Sequence, residues 1–119
     1  MKEIQIIENS SEREKVLKVV FQEEGYKINI PGSLSEAWTD IMNINLRPEL
    51  VIISLQDLKN KFILRLLSKA FPNLPAIILY RHKDQYQDLN LQENWHLVKI
   101  PFNPTALVEW VERILSGVH

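Results

Sequence analysis

Pro48-Glu49-Leu50-Val51-Ile52-Ile53-Ser54-Leu55-Gln56-Asp57 decides the fold, because Leu50 to Ile53 is a continuous apolar run that stops abruptly at a hydroxyl. A strand apolar on both faces belongs in the middle of a covered sheet. If that sheet is parallel and wound by helices, ligands and reacting groups sit at the carboxyl ends of its central strands, which puts Ser54 at the address of a site. What the residues around Ser54 can offer therefore governs any functional conclusion.

The flanks alternate between strand and helix patterns. Upstream, Glu3 to Ile7 is a short strand ending at Glu8 and Asn9. Ser11 with Glu14 has the form of a capping box, Val16, Leu17, Val20 and Phe21 recur at helical spacing, and Gly25 offers a left-handed exit. Tyr26, Ile28 and Ile30 alternate with Lys27 and Asn29, as in a half-exposed edge strand. Pro31 and Gly32 turn the chain, Ser33 and Glu36 repeat the capping box, and Ala37, Trp38, Ile41 and Met42 supply a second apolar stripe. Downstream, Asp57 or Asn60 is the candidate cap of a helix carrying Phe62, Ile63, Leu66, Leu67 and Ala70, which must finish before Pro72 and Pro75. Ala76 to Leu79 is another continuous apolar strand. Arg81 to Asn94 is polar and aperiodic, with room for no more than a short or irregular helix around Tyr86 and Leu89. His96 to Ile100 alternates until Pro101, and Asn103-Pro104 opens a last helix with Leu107, Trp110, Val111, Ile114 and Leu115 on its buried stripe.

Five strands, each followed by a helical segment, imply a parallel sheet covered on both faces, since crossovers between parallel strands are overwhelmingly right-handed. The second and fifth strands alternate and belong at the edges; the third and fourth are apolar throughout and belong inside, which gives the order 2-1-3-4-5. With 119 residues, 45% of them hydrophobic, the chain 1-119 is expected to form a single domain. Fourteen basic residues nearly cancel fifteen acidic ones and neither sign forms a long block, which speaks against nucleic acid or an anionic membrane as the partner. The lack of cysteine excludes disulfides, thiolate metal sites and thiol catalysis. No basic-then-apolar leader pattern is present, so the expected compartment is the cytoplasm.

Over nearly its whole length the sequence resembles response-regulator receiver domains, the CheY-like family. The resemblance is carried by Ile4 to Ile7 with Glu8 and Asn9, Glu24-Gly25-Tyr26-Lys27, Ser35-Glu36-Ala37, Pro48 to Ile53, Pro75 to Leu79 and Lys99-Ile100-Pro101-Phe102-Asn103-Pro104. Each is weak alone; their order and spacing make them specific to the fold. The resemblance implies a flavodoxin-like α/β three-layer sandwich. It also implies a chemistry in which a histidine kinase phosphorylates an aspartate at the end of the third strand. A magnesium ion is held there by that aspartate and an acidic pair after the first strand. A hydroxyl residue after the fourth strand and a lysine before the proline of the fifth then read the phosphate.

This chain departs from that pattern wherever the pattern carries phosphotransfer. Ser54 stands at the acceptor position and lacks the carboxylate that attacks phosphorus and binds the metal. The acidic pair has become Glu8 and Asn9. Tyr80 takes the hydroxyl position, where its bulk is expected to fill the phosphate cavity. Ile100, not Lys99, precedes Pro101, and a one-residue shift along a strand turns a side chain to the opposite face, so Lys99 reaches the site only through a bulge. The aromatic that moves during receiver activation aligns with Leu97, or with His96 if the register slips by one. Glu8, Asn9, Ser54, Tyr80, Lys99 and Ile100 thus form a degenerate phosphoacceptor pocket for which no catalytic residue, metal or cofactor is expected.

Plain structural roles compete with functional ones. Ser54 reads as a small polar strand end, Asp57 as a helix cap rather than a substitute acceptor, and His82, His96 and His119 as surface residues whose spacing matches no metal motif. Asn9-Ser10-Ser11 places hydroxyls at a helix amino terminus, as flavin-phosphate loops do, but it lacks glycine and is surrounded by Glu8, Glu12 and Glu14, so capping explains it better. The late aromatics fall on the part of the chain that receivers, by the same resemblance, use for dimerisation and effector docking. Trp95, Tyr86, Trp110 and His96 are the interface candidates, with Trp110 equally assignable to the buried stripe. The chain is therefore read as a non-enzymatic pseudo-receiver that binds a protein of bacterial signalling machinery or a copy of itself. Its rivals are a cryptic receiver that binds a divalent cation or is phosphorylated at Asp57 or Ser54, and a flavin- or small-molecule-binding protein of the same fold.

Overall fold

A computed structural model describes residues Lys2 to Gly117; His119, grouped above with the surface histidines, lies outside the described residues. Strands and helices alternate as β1 (Glu3–Ile7), α1 (Ser11–Glu23), β2 (Lys27–Asn29), α2 (Leu34–Met42), β3 (Leu50–Ser54), α3 (Leu58–Ala70), β4 (Ala76–Tyr80), a 3₁₀ turn (Lys83–Gln85), β5 (Trp95–Lys99) and α4 (Pro104–Ser116). The strands form one parallel sheet in the order β2-β1-β3-β4-β5, as the contrast between alternating and continuous strands predicts.

Every residue of β3 is buried, and its period-two alternation feeds two cores. Leu50 and Ile52 pack with Ile4, Ile6, Ile77 and Leu79 beneath Leu17 and Phe21 of α1 and Leu107 and Val111 of α4. Val51 and Ile53 pack with Ile7 and Ile78 beneath Ala37 and Ile41 of α2 and Ile63, Leu64 and Leu67 of α3. The result is three layers, with the sheet in the middle.

The helices start at side-chain caps. Ser10, not Ser11, caps α1 by accepting the Arg13 N–H, because Glu8 accepts the Ser10 N–H at 2.9 Å and fixes the loop one residue earlier. Ser33 caps α2, and Glu36 reaches back to the Gly32 N–H. Asp57 rather than Asn60 caps α3, accepting the Lys59 N–H at 2.9 Å. Asn103 caps α4 ahead of Pro104. Gly25, at φ 91°, takes the left-handed conformation just past α1.

Besides Ala70 at the end of α3, four residues assigned to buried stripes face solvent instead: Val16, Met42, Phe62 and Trp110. Each is the chain neighbour of a buried residue, Leu17, Ile41, Ile63 or Val111, and one step along a helix rotates a side chain by about 100°. The reverse holds for Trp95. It opens β5 in register with Ala76, on the α2–α3 side of the sheet, and is only 8% exposed. The segment before it has a single 3₁₀ turn in place of a helix and contributes Leu89 to that core, so Trp95 supplies the bulk. Trp95 is a core residue and is withdrawn as an interface candidate.

Candidate functional site

The ends of β1 and β3 meet the first turns of α1 and α3 over the middle of the sheet. The Glu8 side chain there is 0% exposed, and Arg13, in the first turn of α1, claims its carboxylate. Arg13 Nε donates to Oε2 at 3.0 Å and Nη2 to Oε1 at 3.3 Å. Nη2 also donates to Gln56 Oε1 in the β3–α3 loop. A guanidinium fork on a carboxylate is the strong form of this pair, and it supplies the countercharge that a buried carboxylate needs.

Ser54 is wholly buried. Its Oγ accepts the Gln56 N–H at 3.4 Å, and its carbonyl accepts Asn60 Nδ2 at 2.7 Å. The same amide donates to Asn9 Oδ1 at 2.9 Å, so buried Asn60 bolts the β1–α1 loop to the end of β3. Gln85 braces the far side. Its Oε1 accepts the N–H groups of Arg81 and His82 at 2.6 and 3.1 Å, and its Nε2 donates to the Leu55 carbonyl at 3.3 Å.

The ends of β4 and β5 turn away from this pocket. Ser54 is in register with Leu79, so Tyr80, one residue on, points through the opposite face and meets Tyr86 edge-on, centroids 4.8 Å apart. Tyr80 therefore does not fill a cavity above Ser54, contrary to expectation. Pairing of β4 with β5 runs unbroken from Ala76–Trp95 to Tyr80–Lys99, leaving Lys99 exposed, while Ile100 enters the core under α1 and α4. At the sheet edge His96 and Trp110 meet edge-on at 5.3 Å, and Trp110 is 38% exposed. Beside them lies an open groove of about 390 Å³ lined by Val98, Phe102, Ala106, Glu109 and Arg113.

No protein-family model matches the chain, and no curated protein matches it. Solved structures do. A CheY-like response regulator receiver domain protein from Methanospirillum hungatei JF-1 aligns with a TM-score of 0.83 at 20% identity, covering 99% of this chain and 96% of that one. The signal receiver domain of a signal transduction histidine kinase from Syntrophus aciditrophicus gives 0.82 at 24% identity, over 99% and 92%. NtrX from Brucella abortus gives 0.81 at 18% identity, over 99% of this chain and 28% of that longer one. The fold is that of CheY-like receiver domains.

On this receiver fold the donors at the strand ends do not suit magnesium. A hard divalent cation needs several available oxygens. Here the Glu8 carboxylate is held by a guanidinium, and both Asn9 Oδ1 and the Ser54 carbonyl are held by Asn60. Among the described residues no group of three or more histidines or carboxylates is placed to hold a metal ion, and no helix is long and apolar enough to cross a membrane. A groove of about 180 Å³ opens at the pocket itself, lined by Glu8, Asn9 and Asn60 with Glu14, Asp57 and Lys59; three carboxylates against one lysine give it the wrong charge for a flavin phosphate.

Sequence reasoning overlooked Arg13, Gln56 and Gln85, and offered Asn60 only as an alternative helix cap. Arg13 carried a signal, since a cation in the first turn of a helix capped at Ser10 can reach back over the preceding strand end. Asn60 carried another, a short polar residue in line with Ile63, Leu64 and Leu67. Gln56 and Gln85 are loop and turn residues whose partners lie on other elements, and nothing in the sequence marks them.

Proposed function

We propose that this domain is an atypical receiver, a pseudo-receiver that transmits a signal by binding another protein or a second copy of itself, with no phosphoryl transfer and no catalysed reaction. The buried Ser54 carries the reading. In-line attack on phosphorus requires an exposed nucleophile and free positive charge for the transferred oxygens. Ser54 has no solvent contact, and its hydroxyl already accepts the Gln56 N–H. The nearby Arg13 cation is engaged by Glu8 and Gln56.

The receiver fold supports a role in signal transduction; the setting proposed with it is the bacterial cytoplasm. The docking surface is the β5–α4 edge, where exposed Trp110, its His96 neighbour and the apolar groove are rimmed by Glu109 and Arg113. A large amphipathic aromatic inside a charged rim is the composition of a protein-binding patch. Incubating the protein with a small phosphodonor and magnesium and then measuring its intact mass tests the reading. An unmodified mass is expected; one phosphate per chain, on Asp57 or Ser54, would make the domain a cryptic receiver instead.

A further inference from the structure

We infer that Arg13 is a tethered cation in a site shaped for a guanidinium and not for a metal ion, so that the geometry of the pocket is set from inside the chain. Three elements meet at its guanidinium: α1 supplies it, Glu8 at the end of β1 accepts two of its bonds, and Gln56 of the β3–α3 loop accepts another. Among the described residues Arg13 is the cation within ion-pair distance of Glu8, whose side chain is fully buried. The Arg13 side chain itself is 18% exposed, so the fork sits at the mouth of the pocket with its outer edge toward water. Its backbone is fixed as well, since the Ser10 hydroxyl accepts its N–H.

Removing the arm at this position leaves a carboxylate and an amide oxygen converging on an opening to solvent. Planar guanidinium recognises such a pair by two parallel bonds, whereas sodium or magnesium meets too few oxygens there. The emptied site therefore takes guanidinium ion from solution in preference to either metal. Arg13→Lys keeps the charge but loses the fork, so it holds Glu8 without reaching Gln56 as well.

This inference deepens the pseudo-receiver reading by giving the pocket one arrangement regardless of ion supply, and it is tested separately. Arg13→Ala is expected to melt roughly 10 °C below the parent protein, the scale for breaking one partner of a buried pair. Guanidinium chloride, far below denaturing concentrations, is expected to raise that melting temperature saturably and return the Gln56 amide resonance toward its parent position. Sodium and magnesium chloride at equal ionic strength should do neither. Arg13→Lys should fall between the two, and serves as the test protein if Arg13→Ala does not fold. The double variant Glu8→Gln with Arg13→Ala should show no guanidinium response. The inference is overturned if Arg13→Ala melts with the parent, if all three salts act alike, or if the double variant still responds. Those failures leave the Ser54 argument standing, whereas phosphate uptake by the parent protein would defeat the pseudo-receiver whatever Arg13 does.

Discussion

The strand-end pocket and the β5–α4 edge treat their polar and apolar groups in opposite ways. In the pocket, Glu8, Asn9, Ser54 and Asn60 each bond to one another, to Arg13 or to backbone. Among the described residues the buried side-chain atom left without a partner is Gln5 Oε1, under α2 and away from this pocket. At the edge, a tryptophan and an apolar groove are left facing water. A polar cluster whose members already hold one another must break those bonds to take a ligand, while exposed apolar surface gains free energy when covered. That contrast favours the proposed docking surface at the edge of the sheet over the pocket above its middle.

The sharpest way to break the comparison sets core Trp95 and buried Asn60 against exposed Trp110. Trp95→Ala should cost about 4 kcal/mol in urea unfolding, as for a core aromatic. A small loss would mean that the space under the 81–94 segment is not filled as described. Next in size, Asn60→Ala deprives Asn9 Oδ1 and the buried Ser54 carbonyl of their donor and should cost about 3 kcal/mol. Stability within error of the parent would show that the pocket is not bolted shut. Trp110→Ala should change stability by no more than about 1 kcal/mol, the worth of its ring contact with His96. The same change should weaken self-association or partner capture by about tenfold or more. Sedimentation and pull-down that do not change would remove this edge as the proposed docking surface.

The smallest effect concerns how the 81–94 segment is tied down. Lys61 Nζ and Arg65 Nη2 bond to the two oxygens of Asp88 at 3.0 and 2.9 Å. The hydrogen bond from Lys61 is the main reason that the Asp88 carboxyl lies below its ordinary value. A depressed carboxylate contributes stability above its unfolded value, near pH 4, and loses it as pH falls through the lower folded value. Acid unfolding curves of the parent and Asp88→Asn should therefore differ slightly at neutral pH and converge below about pH 4, the difference shrinking with salt. Parallel curves throughout would remove Asp88 as an anchor.

Much of the architecture was legible because burial leaves periodic marks. Two solidly apolar strands between two alternating ones gave the sheet order, Ser33 and Asn103 announced helix starts, and the aperiodic Arg81 to Asn94 stretch marked the crossover that lacks a full helix. Facing was harder. Phe62 and Trp110 sit one helical step from buried neighbours, and the sequence pattern begins the fifth strand at His96, which left Trp95 without a face. The pocket was legible as a set of losses at Glu8, Asn9 and Ser54, but not as a set of bonds. Arg13 and Asn60 act through partners on other elements, and such pairs leave no period in one sequence.

The most direct measurement is an amide NMR titration of the folded protein with magnesium and then beryllofluoride. The resonances of Glu8, Asn9, Ser54 and Gln56 are expected to stay in place at every addition, while the protein remains folded. Saturable shifts confined to those four residues would contradict the account, because they would show an ion and a phosphate mimic entering a pocket whose carboxylate and loop oxygens are held by Arg13 and Asn60.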